Sequence, residues 1–269
     1  MKSKQKDEVI KLDKTPELKV RWLDKPPERV YECIAKATLN CHSEDPINDM
    51  AKIDSVSPVE MWNKKFANGH ELAVWLTKYI RDLNHGAMLE FSGQFNFLVT
   101  ENSRGLTHEQ VRQRIGISYA QRSTRFVKKG DFITPYQLSE EDKTLYVQSI
   151  EELAKIRHIL EEKYPKDVTR HLLPIATHSP IVIGYNNIRS LYYDLGLRCC
   201  MRAHWEIRYM ATEIRRLCRE QWPDLFDKAG AHCKTFGYCL EGNKQCKEKK
   251  GRVPTLDMLL KCWEENKGK

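Results

Sequence analysis

The residues from Ser103 to Phe126, SRGLTHEQVRQRIGISYAQRSTRF, have the types and spacing to hold an anion. Five arginines (Arg104, Arg112, Arg114, Arg122, Arg125) stand with Ser118 and Ser123, and Glu109 is the only acid in the stretch. Each guanidinium offers a planar fork of donors that matches a phosphate. Thr107 with Gln110 three residues on reads as a capping box, so a helix is expected to start there. Gly116 and the β-branched and aromatic residues after it predict that the helix stops and an extended run follows. In such a run Ser123 and Arg125 share a face, because side chains alternate. Charge pattern alone leaves an anion site and a solvated basic face both open.

The elements that must position these groups come from hydrophobic periodicity. At 269 residues the chain is one large domain or two small ones, with room for a sizeable core. Lys19 to Leu23 reads as a short strand, and Pro26-Pro27 as the opening of a helix carrying Val30, Cys33 and Ile34. Residues 40–60 read as loop-rich. From Gly69 to Leu83 the residues Leu72, Trp75, Leu76, Tyr79, Ile80 and Leu83 predict one buried helical face. Phe91, Phe95, Phe97 and Val99 then alternate as a strand should. Ser139 with Asp142 caps a further helix running to about Lys163, with Tyr146, Ile150, Leu153 and Leu160 on its buried face. Arg198, Arg202 and Glu206 at i, i+4 and i+8 are expected on one helix face.

Composition narrows the ligand class. Lys plus Arg is 45 against 37 for Asp plus Glu, a net charge of +8 that suits nucleotides, folates or nucleic acid. No run of apolar residues is long enough to span a membrane. The charged start, MKSKQKDEVIKLDK, lacks the apolar core of a signal peptide, so a cytoplasmic, reducing setting is expected. Nine cysteines in that setting read as free thiols or metal ligands before disulfides. His232, Cys233, Cys239 and Cys246 are soft donors, but their C-x5-C-x6-C spacing is not that of a zinc knuckle, and no metal is expected. Cys41-His42 reads as an ordinary loop pair.

Several blocks together resemble a family. Arg112-Gln113-Arg114, then Ser118, Ser123 and Arg125, is similar to the signature of the flavin-dependent thymidylate synthases: Arg-His-Arg, a serine, then Ser-x-Arg-Tyr. His85, Glu90 and the strand Phe91 to Val99 follow that family's layout, as do Arg170 with Pro174. Asn187-Ile188-Arg189-Ser190-Leu191 resembles its Asn-x-Arg-Ser-Leu element. Leu197-Arg198 and Ala203-His204-Trp205-Glu206-Ile207 resemble its Leu-Arg and Ala-Gln-Trp-Glu-Ile. The resemblance covers roughly His85 to Trp222. Departures are Gln113 for histidine, one extra residue between Arg114 and Ser123, Arg202 for histidine, His204 for glutamine, Tyr193 for asparagine and Glu109 for glutamine.

The resemblance implies an α+β fold, a mixed antiparallel sheet flanked by helices, in residues 19–230. Residues 1–18 would be a flexible tail and 231–269 a cysteine-containing extension. It implies conversion of dUMP to dTMP with FAD, NADPH and 5,10-methylenetetrahydrofolate, by a homotetramer with shared active sites and without membrane or nucleic-acid partners. Arg112, Gln121, Ser123, Arg125, Arg170 and Arg198 would bind dUMP. Ser123 and Arg198 would be the catalytic pair, with Ser123 positioning the nucleotide and not attacking it. His85, Glu90, Arg112, Gln113, Arg114, Asn187, Arg189 and Arg202 would meet FAD. Hydroxymethyl transfer to dUMP on the same scaffold stays open as an alternative, and a non-catalytic basic nucleic-acid-binding module is the rival from another class.

Overall fold

A computed structural model describes residues 18–83, 86–123, 132–241, 246 and 252–266. His85 and Arg125 lie outside the described residues, as does the tail before Leu18. The chain divides into two compact units. The first holds Val99–Arg112 and Ala120–Ile181, with the chain up to Lys19; the second holds Val20–Leu98, Gln113–Tyr119 and Val182 onward. The class is α+β, as expected.

Among the described residues six strands form: β1 (Lys19–Trp22), β2 (Val59–Met61), β3 (Lys64–Phe66), β4 (Phe95–Thr100), β5 (Ile117–Gln121) and β6 (Ile181–Tyr185). β2 and β3 make an antiparallel hairpin, and the other four make one sheet in the order β1-β4-β6-β5. Asn186 N–H donates to the Gly116 carbonyl and Arg122 N–H to the Pro180 carbonyl, so β5 runs antiparallel to β6. Phe95, Phe97 and Val99 are fully buried at period two, as the alternation predicts. Phe91 is not in the strand. It ends a 3-10 turn, Gly86–Phe91, with its side chain exposed, because Gly93 at φ 84° interrupts the extended run.

In the second unit the core grows from the sheet's aromatic face. The Trp22 ring lies 4.4 Å from that of Phe97 and meets Trp222 edge-on at 5.8 Å. Helix α1 (Val30–His42) starts after the two prolines, not at them. Helix α2 (Pro46–Ile53) occupies a passage expected as loop, with Asp45 as its cap and Pro46 in its first turn. Helix α3 (Gly69–Asp82) buries Leu72, Ala73, Leu76, Thr77 and Ile80. Tyr79 and Leu83, expected on that face, are exposed. The stripe turns toward the small residues Ala73 and Thr77 because α1 packs against α3, while Tyr79 stacks on Trp75 at 5.8 Å.

In the first unit α4 (Arg104–Gln110) starts earlier than the Thr107 box implied. The Ser103 hydroxyl is the cap, accepting from Leu106 N–H at 3.2 Å, and Thr107 is buried within the helix. Helix α5 (Glu140–Glu161) is capped by Ser139 as expected, but of its predicted face only Ile150 is buried. Leu145, Ile156 and Ile159 stay exposed. α6 (Lys166–Thr169) follows. The second unit continues with α7 (Ile188–Arg198), α8 (Trp205–Gln221), α9 (Pro223–Phe226), α10 (His232–Phe236) and α11 (Leu256–Asn266). Among the described residues no helix is long and apolar enough to cross a membrane.

Gly69 opens α3 where the α2 backbone passes closely: a Cβ there would sit 2.3 Å from the carbonyl oxygens of Lys52 and Ile53. Gly69→Ala is expected to destabilise by about 3 kcal/mol, since backbone on both sides must move. Urea unfolding checks this, and an unchanged midpoint would contradict that packing.

Candidate active site

In the first unit α4 and the last residue of β5 share a largely buried polar layer. The Gln121 amide nitrogen donates to the Thr107 hydroxyl at 2.7 Å and to the Ser179 hydroxyl at 2.8 Å. The Asn102 amide donates to the Ser179 carbonyl at 2.7 Å and the Ser103 carbonyl at 3.2 Å. With its amide hydrogens engaged, Gln121 offers a ligand its carbonyl oxygen. Arg112 is exposed immediately past α4, and Ser123 is part-buried two residues past β5. Arg170 is exposed at the start of a 3-10 turn, 4.0 Å from Asp167. Four of the residues expected at the nucleotide thus fall in this unit.

Gln113 and Arg114 belong to the second unit. The Gln113 carbonyl accepts from the Tyr119 hydroxyl, which pins this turn to β5. Gly116 has φ 69°, and a Cβ there would lie 2.8 Å from the Ser190 Cβ, so the turn seats directly on the start of α7. That helix end is fully capped. The Asn187 amide oxygen accepts from Ser190 N–H at 2.9 Å, and the Ser92 hydroxyl accepts from Ile188 N–H at 2.8 Å. Asn187, expected at the flavin, spends its oxygen on the cap and keeps its NH2 for other contacts. Glu90 and Arg189, both expected at the flavin, come together as an exposed ion pair.

The far end of α7 is organised by Asp194, a fully buried carboxylate. It accepts from the Tyr185 hydroxyl at 2.7 Å and lies 3.5 Å from Arg198 Nε. Burial and the Asp194 charge hold the Tyr185 hydroxyl well above its ordinary value. Arg198, Arg202 and Glu206 do not share a helix face as expected. α7 ends at Arg198, a turn spans 199–204, and α8 begins at Trp205. Released from the helix, Arg202 pairs with Glu241 at 2.7 Å, while Glu206 is buried in the first turn of α8.

Two cavities flank α7. One of about 310 Å³ is lined by Cys199, Cys200, Cys233, Cys239 and Cys246, with Arg202. All nine cysteines are thiols, and burial pushes the Cys199 thiol up to about 11. Among the described residues no group of three His, Cys, Asp or Glu could hold a metal ion. The other, about 610 Å³, is bordered by Gly86, Arg189, Tyr193, Lys228, His232 and Phe236. The sequence points to Arg189 and Tyr193, and to His232 only as a soft donor beside the cysteines, but not to Lys228 or Phe236. No local signal marks them, because the contact that brings them in is His232 lying on Gly196 of α7. A Cβ at Gly196 would fall 2.3 Å from His232 Nε2.

Residues 26–224 match the family model described as thymidylate synthase complementing protein. The chain is similar to the flavin-dependent thymidylate synthase of Nitratidesulfovibrio vulgaris, 36% identical over 178 residues, or 61% of this chain and 71% of the relative. It is 36% identical to that of Geobacter sulfurreducens over 174 residues, covering 62% of this chain and 73% of the relative. It is 31% identical to that of Clostridium tetani over 255 residues, covering 87% of this chain and 94% of the relative.

Two predictions follow from α7. Asp194→Asn removes the charge opposite Arg198 and is expected to destabilise by about 3 kcal/mol, read as a lower denaturation midpoint; an unchanged midpoint would refute the structural role of this carboxylate. His232 is lowered by burial, with Glu241 acting the other way. Its neutral form is therefore the folded form. The stability it contributes is full above the unfolded value of about 6.5 and is lost as pH falls below that toward the depressed folded value. Intrinsic-rate-corrected amide exchange in α10 should accelerate between pH values of about 7.5 and 5.5, and flat protection across that range would contradict the assignment.

Proposed function

The chain belongs to the flavin-dependent thymidylate synthase family, and from that membership we propose that it methylates dUMP reductively to dTMP. FAD would be its flavin, NADPH its reductant and 5,10-methylenetetrahydrofolate its one-carbon donor. The observation that carries this reading is a family match over residues 26–224 that takes in both arginine-bearing blocks. The enzyme would work in the cytoplasm as a homotetramer with shared active sites. The thiol state of its nine cysteines agrees with a reducing compartment. The apolar side chains that α5 leaves exposed agree with burial against other subunits.

The roles of the residues follow from their chemistry. Arg112, Arg125, Arg170 and Arg198, with Ser123 and the carbonyl oxygen of Gln121, would hold dUMP through its phosphate and pyrimidine. Fixed guanidinium groups stabilise negative charge that develops on the ring without reorganising during the reaction. Asp194 presets Arg198 for this, since the pair is already formed within α7. Ser123 positions the nucleotide, and no cysteine lies in the Ser103–Phe126 stretch to act as a nucleophile.

The donor set fits a flavin dinucleotide. Arg189 and Lys228 can meet phosphates, and the half-exposed rings of Tyr193 and Phe236 can face a planar ring in the same cavity. His85, Glu90, Gln113, Arg114, Asn187 and Arg202 complete the groups assigned to it, with Arg112 serving both ligands. When bound, the flavin supplies the hydride. The relatives' synthase names do not favour hydroxymethyl transfer.

Purified protein is expected to show a flavin absorbance band that NADPH bleaches anaerobically, and faster when dUMP is present. With methylenetetrahydrofolate added, dTMP should accumulate in proportion to NADPH consumed. Hydroxymethyl-dUMP formed without NADPH would replace the proposed reaction with the alternative. Failure to bind FAD at all would remove the catalytic assignment.

A further inference from the structure

The family match ends at residue 224, yet the cavity that holds Arg189 is closed by residues beyond it. The segment that closes it is anchored at several points. Its His232 ring lies on Gly196. Arg215 Nε donates to the Ala229 carbonyl at 2.6 Å, and Arg202 pairs with Glu241 at 2.7 Å. The Thr235 hydroxyl lies 3.2 Å from the Lys228 carbonyl and 3.3 Å from that of Gly230. This stretch is built in place, not draped over the surface.

What it turns toward the cavity is unfinished. Phe236 is 48% exposed and Tyr193, opposite in sequence origin, is 52% exposed, though both border the same space. Lys228 reaches only an exposed partner, Asp82 at 3.2 Å, which also serves Arg81 at 2.9 Å. Arg189 likewise has an exposed partner in Glu90. Exposed pairs of this kind contribute little, so either cation can turn to an incoming phosphate at small cost. Two uncovered aromatic faces with two loosely held cations around one cavity suit a planar ring carrying a diphosphate.

We propose that residues 228–236, outside the family match, complete the flavin pocket, with Phe236 giving an aromatic face and Lys228 joining Arg189 on the flavin's phosphates. This rests on the flavin-dependent reading above. It places residues past the end of the family model's match in the cofactor site.

The test is titration of the full-length chain with FAD and with riboflavin, followed by flavin fluorescence. Phe236→Ala and Lys228→Ala are both surface changes, and thermal melting should match the wild type. Each is expected to raise the Kd for FAD about tenfold, the usual loss for one ring contact or one charge-assisted phosphate contact. Lys228→Ala should leave riboflavin binding unchanged, because riboflavin carries no phosphate, and Lys228→Arg should restore FAD affinity. dUMP binding should not change in any variant. Wild-type flavin binding with unaltered affinity in both alanine variants overturns this inference alone. Equal losses for FAD and riboflavin in Lys228→Ala overturn the phosphate contact. A wild-type chain that binds no flavin overturns the functional reading itself, and this inference with it.

Discussion

The second unit depends on one buried carboxylate. Asp194 sits fully out of water on α7, and desolvating a carboxylate is costly unless its oxygens are engaged. The Tyr185 hydroxyl, at the end of β6, and the Arg198 guanidinium, one turn on in α7, offset that cost. The Tyr185 bond ties the helix to the sheet in one rotation about its axis, while the Arg198 pair stays within α7. Every group that α7 contributes to the candidate site takes its direction from that lock: Arg189 in the first turn, Tyr193 in the middle and Arg198 at the end. The opposite end of the helix is held as firmly, by the Asn187 cap and the Ser92 hydroxyl. Gly116 lets the arginine-bearing turn settle against Ser190 there.

The first unit solves a similar problem with neutral groups. The Gln121 amide bridges the Thr107 and Ser179 hydroxyls and the Asn102 amide holds the Ser179 carbonyl, so the end of β5 is tied to α4 and to Ser179 by neutral contacts. Arg112 and Arg170 stand at exposed positions, where solvent meets the cost of their charge.

The segment past residue 224 borders the cavity of Arg189 with little secondary structure of its own there. α10 is five residues long and would not be stable alone. It holds because His232 finds the flat face that a glycine leaves on α7, and because Arg215 draws in the loop before it. The cysteines nearby line a second cavity as thiols, in keeping with their burial and with the raised value of Cys199.

Much was legible in the chain itself. Alternation gave β4, periodicity gave α3, Ser139 gave the start of α5, and the ordered blocks from Arg112 to Ile207 gave the family and the residues to examine. These are local signals, set by side-chain period, cap chemistry and residue type. Tertiary structure decided what local signals cannot carry. It moved the start of α4 to Ser103 because Thr107 was needed inside against Gln121. It turned the α3 stripe toward Ala73 and Thr77 because α1 packs there. It broke the expected run of Arg198, Arg202 and Glu206, since a turn at 199–204 sends Arg202 to Glu241 and Glu206 into the core. It also brought Lys228 and Phe236 to the cavity of Arg189, through a glycine–histidine contact between residues 36 positions apart in a chain whose sequence gives that pair no periodicity or motif.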